Sequence, residues 1–460
     1  MAGLSIALNT GVRSLQVRQK EMATTGQNIS NAQKPGYHRR TTQIQSTPEI
    51  DSGDVRIGTG VEVQRITRAY DSTLVRNLQQ AINKDGYHQR YAEMLENAEN
   101  ILAPEGESSL QKTVTTFADA WQSVATTPDS LENRKTLIEN GKRLAEELNL
   151  TQSRIQSAKD RIWSGADNSF LSDSVNTANN KATQIAQLNE RISQYEMRKF
   201  NGQKANDLRD QRDQHIKELA RLTDITVNET DDGVKKIKLE GRDWIGSGKT
   251  HDTLQVVDNG GTPQLQWKSD GTAIPSQDGG ETQGLIESYQ TLETLESEFE
   301  NYAQTLQTEL NAQHASGFDL NGDPGGDLFQ QTAGEWEFAI DQSDKIAASS
   351  VSGASGNGEN ARALWDKMQD DTVFTGSEDT LTNFVDRRIN DVATEVQNAR
   401  HLAESTESQV QMLEQEIQSM SGVSVDREMQ SMLETQRAYQ ASARFVTVID
   451  EMLASAIRMV

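Results

Sequence analysis

Apolar residues recur at every seventh position at both ends of this 460-residue chain, and that periodicity constrains its fold more than any other feature. At the C-terminal end Val425, Met432, Tyr439, Val446, Leu453 and Val460 form one column, with Met429, Gln436, Ala443, Asp450 and Ile457 as the second. Alternating steps of three and four residues stay on one side of an α-helix, so the pattern predicts a long terminal helix with a coiled-coil seam. Gly422 stops the preceding element, Ser424 is placed to cap the new helix, and Asp426 lies in its first turn, where the helix dipole favours an acid. At the N-terminal end Met1, Leu8, Leu15, Met22 and Ile29 repeat in the same way, with Leu4, Val12 and Gly26 beside them, until Pro35-Gly36 ends the helix. The two ends are therefore expected to pair side by side or antiparallel, or to pack against other copies.

Between the ends the period changes twice. Residues 37–70 are polar and β-prone, and they read as an extended arm or hairpin. Helical spacing returns from Asp71 to Ile101, from Ser109 to about Thr126, from Leu131 to about Leu222, and again from about Gly284 onward through Leu292, Phe299 and Leu306. Residues 223–284 instead carry turn signals at Asp232-Gly233, Gly246-Ser247-Gly248 and Asn259-Gly260-Gly261 between short alternating runs. They predict a small β domain with local strands, an insertion that could be removed without unfolding the helices. A strand over 334–342, where Trp336, Phe338 and Ile340 alternate, is a candidate to join it. The expected fold is mainly α with a small β insertion. Residues 1–36 and 424–460 would form a terminal coiled coil, and 37–222 with 285–423 a long helical rod.

Charge and composition narrow the function. The net charge of −24 opposes nucleic acid and anionic membrane surfaces as partners. Residues 1–68 are the exception, with nine basic against five acidic side chains, so the remainder carries −28. With no cysteine, disulfides and thiolate metal sites are excluded. No apolar run reaches the roughly 18 residues of a membrane span, and the N-terminus lacks the pattern of a cleaved secretory signal.

The usual signatures of chemistry are missing. The six histidines are scattered, and there is no HExxH pair, phosphate-cradling glycine loop or GxSxG elbow. Asp319, Asn321, Asp323 and Asp327 alternate as ligands of a calcium loop do, but Pro324 stands at the glycine position and Gln330 at the bidentate glutamate position. A plain turn needs the same residue types. No catalytic residue, cofactor or metal is expected.

Two terminal segments carry a resemblance. Asn28-Ile29-Ser30-Asn31-Ala32-Gln33-Lys34-Pro35-Gly36-Tyr37, and Gln436-Arg437-Ala438-Tyr439 running on to Leu453, resemble the paired signatures of bacterial flagellar rod, hook and hook-associated proteins. Asp207-Leu208-Arg209-Asp210-Gln211-Arg212-Asp213-Gln214, Leu310 to Asp323 and Ser421 to Asp426 are similar to segments of the hook-associated protein 1 family, which stands at the hook-filament junction. A rod or hook-type axial protein is the alternative, although a hook protein would have a β-rich middle. Larger members of the family carry an outer β insertion between Phe329 and Lys345 that this chain shortens to a link.

The resemblance implies a structural component of the flagellum and not an enzyme. It would be exported through the flagellar type III channel without a cleaved signal, with an export chaperone, and would act outside the cell. Its partners would be further copies in a ring, the hook protein, and a second hook-associated or flagellin-like protein. Leu4, Leu8, Leu15, Met22 and Ile29 would pack between subunits, together with Val425, Met429, Met432, Tyr439, Ala443, Val446, Leu453, Ile457 and Val460. Asn28, Asn31, Pro35, Gly36, Tyr37, Gln436, Ala438 and Tyr439 are the family motif. An enzyme or calcium-dependent module on the same rod is the competing reading.

Overall fold

A computed structural model describes residues 2–458 except 53–54, 103–108, 166–167, 199–202, 231–232 and 375–377. Met1 and Val460 of the expected seams thus lie outside the described residues. The chain exposes 24046 Å², whereas a compact monomer of its mass would expose about 17,000 Å². The molecule is therefore elongated, and it is mainly helical.

Helix α1 (Ala2–Ser30) leads into a hairpin of β1 (Arg40–Ser46) and β4 (Val61–Arg68), tipped by β2 (Ile50–Ser52) and β3 (Val55–Ile57). The β1 and β4 strands are antiparallel, with Arg40 opposite Arg68 and a bulge between Gln43 and Ile44. Next come α2 (Ser72–Leu102), α3 (Leu110–Thr126), α4 (Leu131–Ile162), α5 (Phe170–Met197) and α6 (Asn206–Leu222). Asp71 starts α2 by accepting from the Thr73 and Leu74 amides. Ser109, Ser130 and Ser169 cap α3, α4 and α5 in the same way, whereas α6 starts at Ala205 without a side-chain cap, and the stretch read as helical from Leu131 to Leu222 is three helices.

The β region has β5 (Ile225–Glu229), β6 (Lys235–Leu239) and β7 (Arg242–Ile245) in one sheet, and β8 (Leu254–Asn259) with β9 (Thr262–Trp267) in another. Helix α7 (Glu281–Ala315), the hairpin β10 (Phe329–Thr332) and β11 (Glu335–Phe338), and helices α8 (Glu359–Met368), α9 (Phe384–Ser421) and α10 (Val425–Arg458) complete the chain. The rod is a bundle in which α2 lies against α9, α7 and α6, while α3 packs on α4 and α8. Long-range pairing of α2 with α9 brings the two halves of the sequence together.

Two expectations change here. The strand over 334–342 does not join the β5–β9 region: β11 pairs with β10 and packs on α4, where Phe338 fills the space above Gly141 and meets Phe117 and Phe329. Alternation marks a strand with one buried face but not which surface buries it. The β region, expected to be removable, shares its core with the helices. Trp244, Trp267, Ile237 and Leu265 belong to one continuous core with Ile185 of α5 and Leu292 of α7. The Asn189 amide of α5 also donates to the carbonyls of Lys235 and Gly246.

The candidate calcium loop is closed by its own groups. The Asp319 carboxylate accepts from the Asn321 and Asp323 amides and from the Lys345 ammonium. Nearby, His314 is fully buried. Its Nδ1 donates to the Gly326 carbonyl at 2.6 Å and its Nε2 accepts from the Ala347 amide at 2.8 Å, which fixes a neutral ring. Burial pushes the His314 pKa down to about 4. The unfolded ring takes up its proton near pH 6.5 and the folded one only near 4, so this contribution is complete above pH 6.5 and is lost as pH falls to 4. Melts of the chain between pH 7 and pH 4 should lose about 3 kcal/mol more than those of His314→Gln. Equal losses would remove His314 as the cause.

Candidate functional site: the joint between terminal helices and rod

Helices α1 and α10 pack antiparallel. Gly11 lies so close to Val446 that a Cβ would sit 2.7 Å from its Cγ2, Ser14 and Ser442 hydroxyls are 3.0 Å apart, and Asn28 donates to Glu428. A side chain at Gly11 would press on Val446 and Phe445 of α10. The other main neighbour of α1 is the β1–β4 hairpin, which buries Val17, Thr24 and Thr25.

The structure brings most of the predicted seam together. Leu4, Leu8, Leu15, Met22 and Ile29 are half-buried on the inner side of α1, and Met432, Tyr439, Ala443, Val446 and Leu453 are half-buried on α10. It does not bring in Val425, Met429 and Ile457, which are 46, 49 and 63% exposed, and Gln436 and Asp450 also face outward. The second column is instead Glu428, Thr435, Ser442 and Ile449, and Glu428, which neither predicted column contains, is only 6% exposed. A heptad column can be completed from i+3 or from i+4, which are both neighbours on a helix. Tertiary contact decides between them, and here the Asn28–Glu428 bond does so.

Asn28 is the hub of the joint. Its Nδ2 donates to the Arg40 carbonyl and to Glu428 Oε2, and its Oδ1 accepts from the Arg40 amide and the Tyr37 hydroxyl, each at 2.9 Å. All four hydrogen-bonding positions of the amide are used, in a site 1% exposed. Gly36 makes the turn that returns Tyr37 to Asn28, at φ +73°. Asn31 closes the end of α1 by donating to the Gln27 carbonyl, whereas Pro35 is exposed on the turn. Ala438 lies half-buried beside Tyr439, and Gln436 is exposed.

Beneath the turn, the acids of Asp207-Leu208-Arg209-Asp210-Gln211-Arg212-Asp213 recur every third residue and so share one face of α6. Asp207 pairs with Arg40 at 2.5 Å. Asp210 accepts from Arg68 at 2.8 Å and meets His38 Nδ1 at 2.9 Å. Asp213 contacts Arg68 at 2.7 Å and accepts from Lys235 of β6 at 2.7 Å. Lys235 also donates to Tyr70, whose ring lies under the Arg68 guanidinium. Burial raises the Asp213 pKa, but Arg68, Lys235 and Arg212 outweigh it and hold the carboxyl at about 2. The arginines of the same segment point the other way. Arg209 grips Glu196 through two nitrogens, while Arg212 donates to Asn189 and the Gly233 carbonyl. One segment of α6 thus ties the arm, the helix pair and the β region into a single joint.

The Asp207 to Gln214 segment stands out in the sequence by its family resemblance alone, and nothing local marks Arg68, Tyr70, Lys235 or Glu428. Their partners lie up to 400 residues away, and no local period marks them. Among the described residues no group of three His, Cys, Asp or Glu stands where it could hold a metal ion, and no helix is long and apolar enough to cross a membrane. What this arrangement does chemically is hold the β1–β4 hairpin against α6 and β6 through desolvated charge pairs.

Residues 95–329 match the family model of the flagellar hook-associated protein FlgK helical domain. The chain belongs to the FlgK family. Residues 414–459, which include α10, match the C-terminal model of flagellar basal body rod FlgEFG proteins. Flagellar hook-associated protein 1 of Bacillus subtilis is 26% identical over 98% of both chains. That of Salmonella typhimurium is 27% identical over 71% of this chain and 59% of its own length. The flagellar hook junction protein FlgK of Burkholderia pseudomallei shares the fold, with a TM-score of 0.64 at 15% identity over 75% of this chain and all of that one. Like its FlgK relatives, the chain is a structural component of the bacterial flagellum, associated with other flagellar components.

Proposed function

We propose that this chain is a non-enzymatic adaptor that forms a ring at the hook-filament junction. In this reading the α1–α10 pairs pack between subunits in an inner tube, and the helical rod forms the layer outside them. The observation that supports it is the terminal pair itself. It is closed by Asn28 and Glu428 and tied to the rod through Arg40 and Asp207, yet it exposes Val425, Met429 and Ile457 on a surface that a free monomer would cover. The partners would be the hook protein on one side and a second hook-associated or flagellin-like protein on the other. The chain would reach its place unfolded, through the flagellar type III channel, without a cleaved signal and with an export chaperone.

A rod- or hook-type place in the axis rests only on the shared C-terminal segment. No observation favours an enzyme or calcium module, since the loop at Asp319 already binds Lys345. The test is complementation of a strain lacking its own hook-associated protein 1. The expected result is restored filaments and motility, with antibody labelling of this chain as a band where hook meets filament. Labelling within the rod or along the hook would overturn the junction assignment.

A further inference from the structure

Asn140, Asn201, Asn259, Asn321 and Asn357 each precede a glycine. That dipeptide is chemically labile, because a following residue without a Cβ lets its own amide nitrogen come close to the asparagine side chain. The fold disarms three of the pairs. Asn140 and Gly141 lie inside α4, with Asn140 buried. The Gly322 amide donates to the Asp319 carbonyl, and Asn321 Nδ2 donates to Asp344. Asn357 Oδ1 accepts from the Ser350 amide and hydroxyl and from the Glu359 amide, while Gly358 is wedged against Ala125, where a Cβ would sit 2.2 Å from the carbonyl oxygen. Asn201 lies outside the described residues.

Asn259 is the exception. It ends β8 opposite Thr262, so Gly260 and Gly261 alone make the turn into β9, at φ +71° and +99°. The Gly261 amide donates to Asp258 at 2.7 Å, and its carbonyl accepts from the Tyr289 hydroxyl at 2.9 Å, which anchors the far side of the turn. Among the described residues the Asn259 side chain and the Gly260 amide make no hydrogen bond, and both residues are exposed. We propose that Asn259 is a site of spontaneous modification, at which the Gly260 nitrogen attacks the side-chain amide. A bond forms from that nitrogen to Cγ, the Cγ–Nδ2 bond breaks, and the displaced amide group leaves as ammonia with the proton given up by Gly260. Water then opens the cyclic imide at either carbonyl, giving aspartate or isoaspartate, and nothing is oxidised or reduced. Isoaspartate adds a backbone methylene to a turn built for two residues. Either product also puts a carboxylate near Asp258 and near Glu293, which accepts from the Thr262 hydroxyl at 3.0 Å. The modification therefore loosens the hairpin tip, and it accumulates with the age of each copy.

The reaction needs no partner, so its test does not depend on the flagellar assignment. The folded full-length chain would be held at neutral pH, sampled over time and mapped by mass spectrometry after digestion, with isoaspartate read by enzymatic methyl transfer. Each hydrogen bond that must open first slows the reaction about two- to tenfold. Asn259 should therefore convert at least about tenfold faster than Asn321 and Asn357, whose side chains and neighbouring amides are held. In concentrated urea the rates at these three sites should converge, because the fold alone sets the order. Asn259→Gln should abolish the product at this position and leave the rates at Asn321 and Asn357 unchanged. Equal rates at the three sites in the folded chain, or the same ranking in urea, would overturn the proposal.

Discussion

Arg68→Ala is expected to destabilise the joint by about 3 to 5 kcal/mol, because it leaves Asp210 and Asp213 buried with their principal cation removed. Asp213 keeps Lys235 and Asp210 keeps His38, so the loss should fall toward the lower figure if those partners shift inward. The chain has several packed regions and need not melt as one unit. The sensitive readout is therefore local: protease cleavage within the β1–β4 hairpin should accelerate by two orders of magnitude or more, at about 1.4 kcal/mol per tenfold change. Adding Asp213→Asn to Arg68→Ala should recover part of the loss, since the uncompensated carboxylate is then gone. An unchanged cleavage rate in Arg68→Ala would mean that the charge ladder contributes little to holding the arm on α6.

Leu453→Asp is expected to abolish incorporation into flagella while leaving the rod folded. The antiparallel register fixed by Gly11 with Val446 and Asn28 with Glu428, continued along both helices, places Leu453 beside Leu4 near the free end of the pair. A carboxylate without a partner on that half-buried seam costs about 1 to 3 kcal/mol. This end of the pair has few other contacts to absorb the loss, because α10 packs principally on α1. Helical circular dichroism and the main melt of purified Leu453→Asp should stay close to those of the unmodified chain, because the rod core around Trp121 and Leu144 is untouched. Motility should be lost in the complemented strain. A motile strain would show that the seam end is dispensable for assembly, and a collapsed melt would show that the pair supports the rod.

Much of the architecture is local and could be read from residue spacing. The starts of α2, α3 and α4 follow from Asp71, Ser109 and Ser130, and the end of α1 from Pro35-Gly36, while the breaks that divide 131–222 into α4, α5 and α6 carry no change of period. The terminal seams follow from a seven-residue period, and the β region follows from alternation between glycine turns. The motif residues Asn28, Pro35, Gly36 and Tyr37 pointed to the flagellar axis before their contacts were known. Spacing does not encode partners distant in sequence, for a physical reason: period fixes which face is apolar, and only packing fixes what covers it. The tertiary structure therefore decided that Glu428 and Ile449 lie on the seam while Met429 and Ile457 face out. It also placed β11 on α4 and not on the β5–β9 region, and joined Trp244 and Trp267 to the helical core. Above all it decided the joint, where Asn28 meets Glu428 and Arg68 meets Asp213. A buried charge is tolerated there only because the fold delivers its counter-charge from a distant part of the chain.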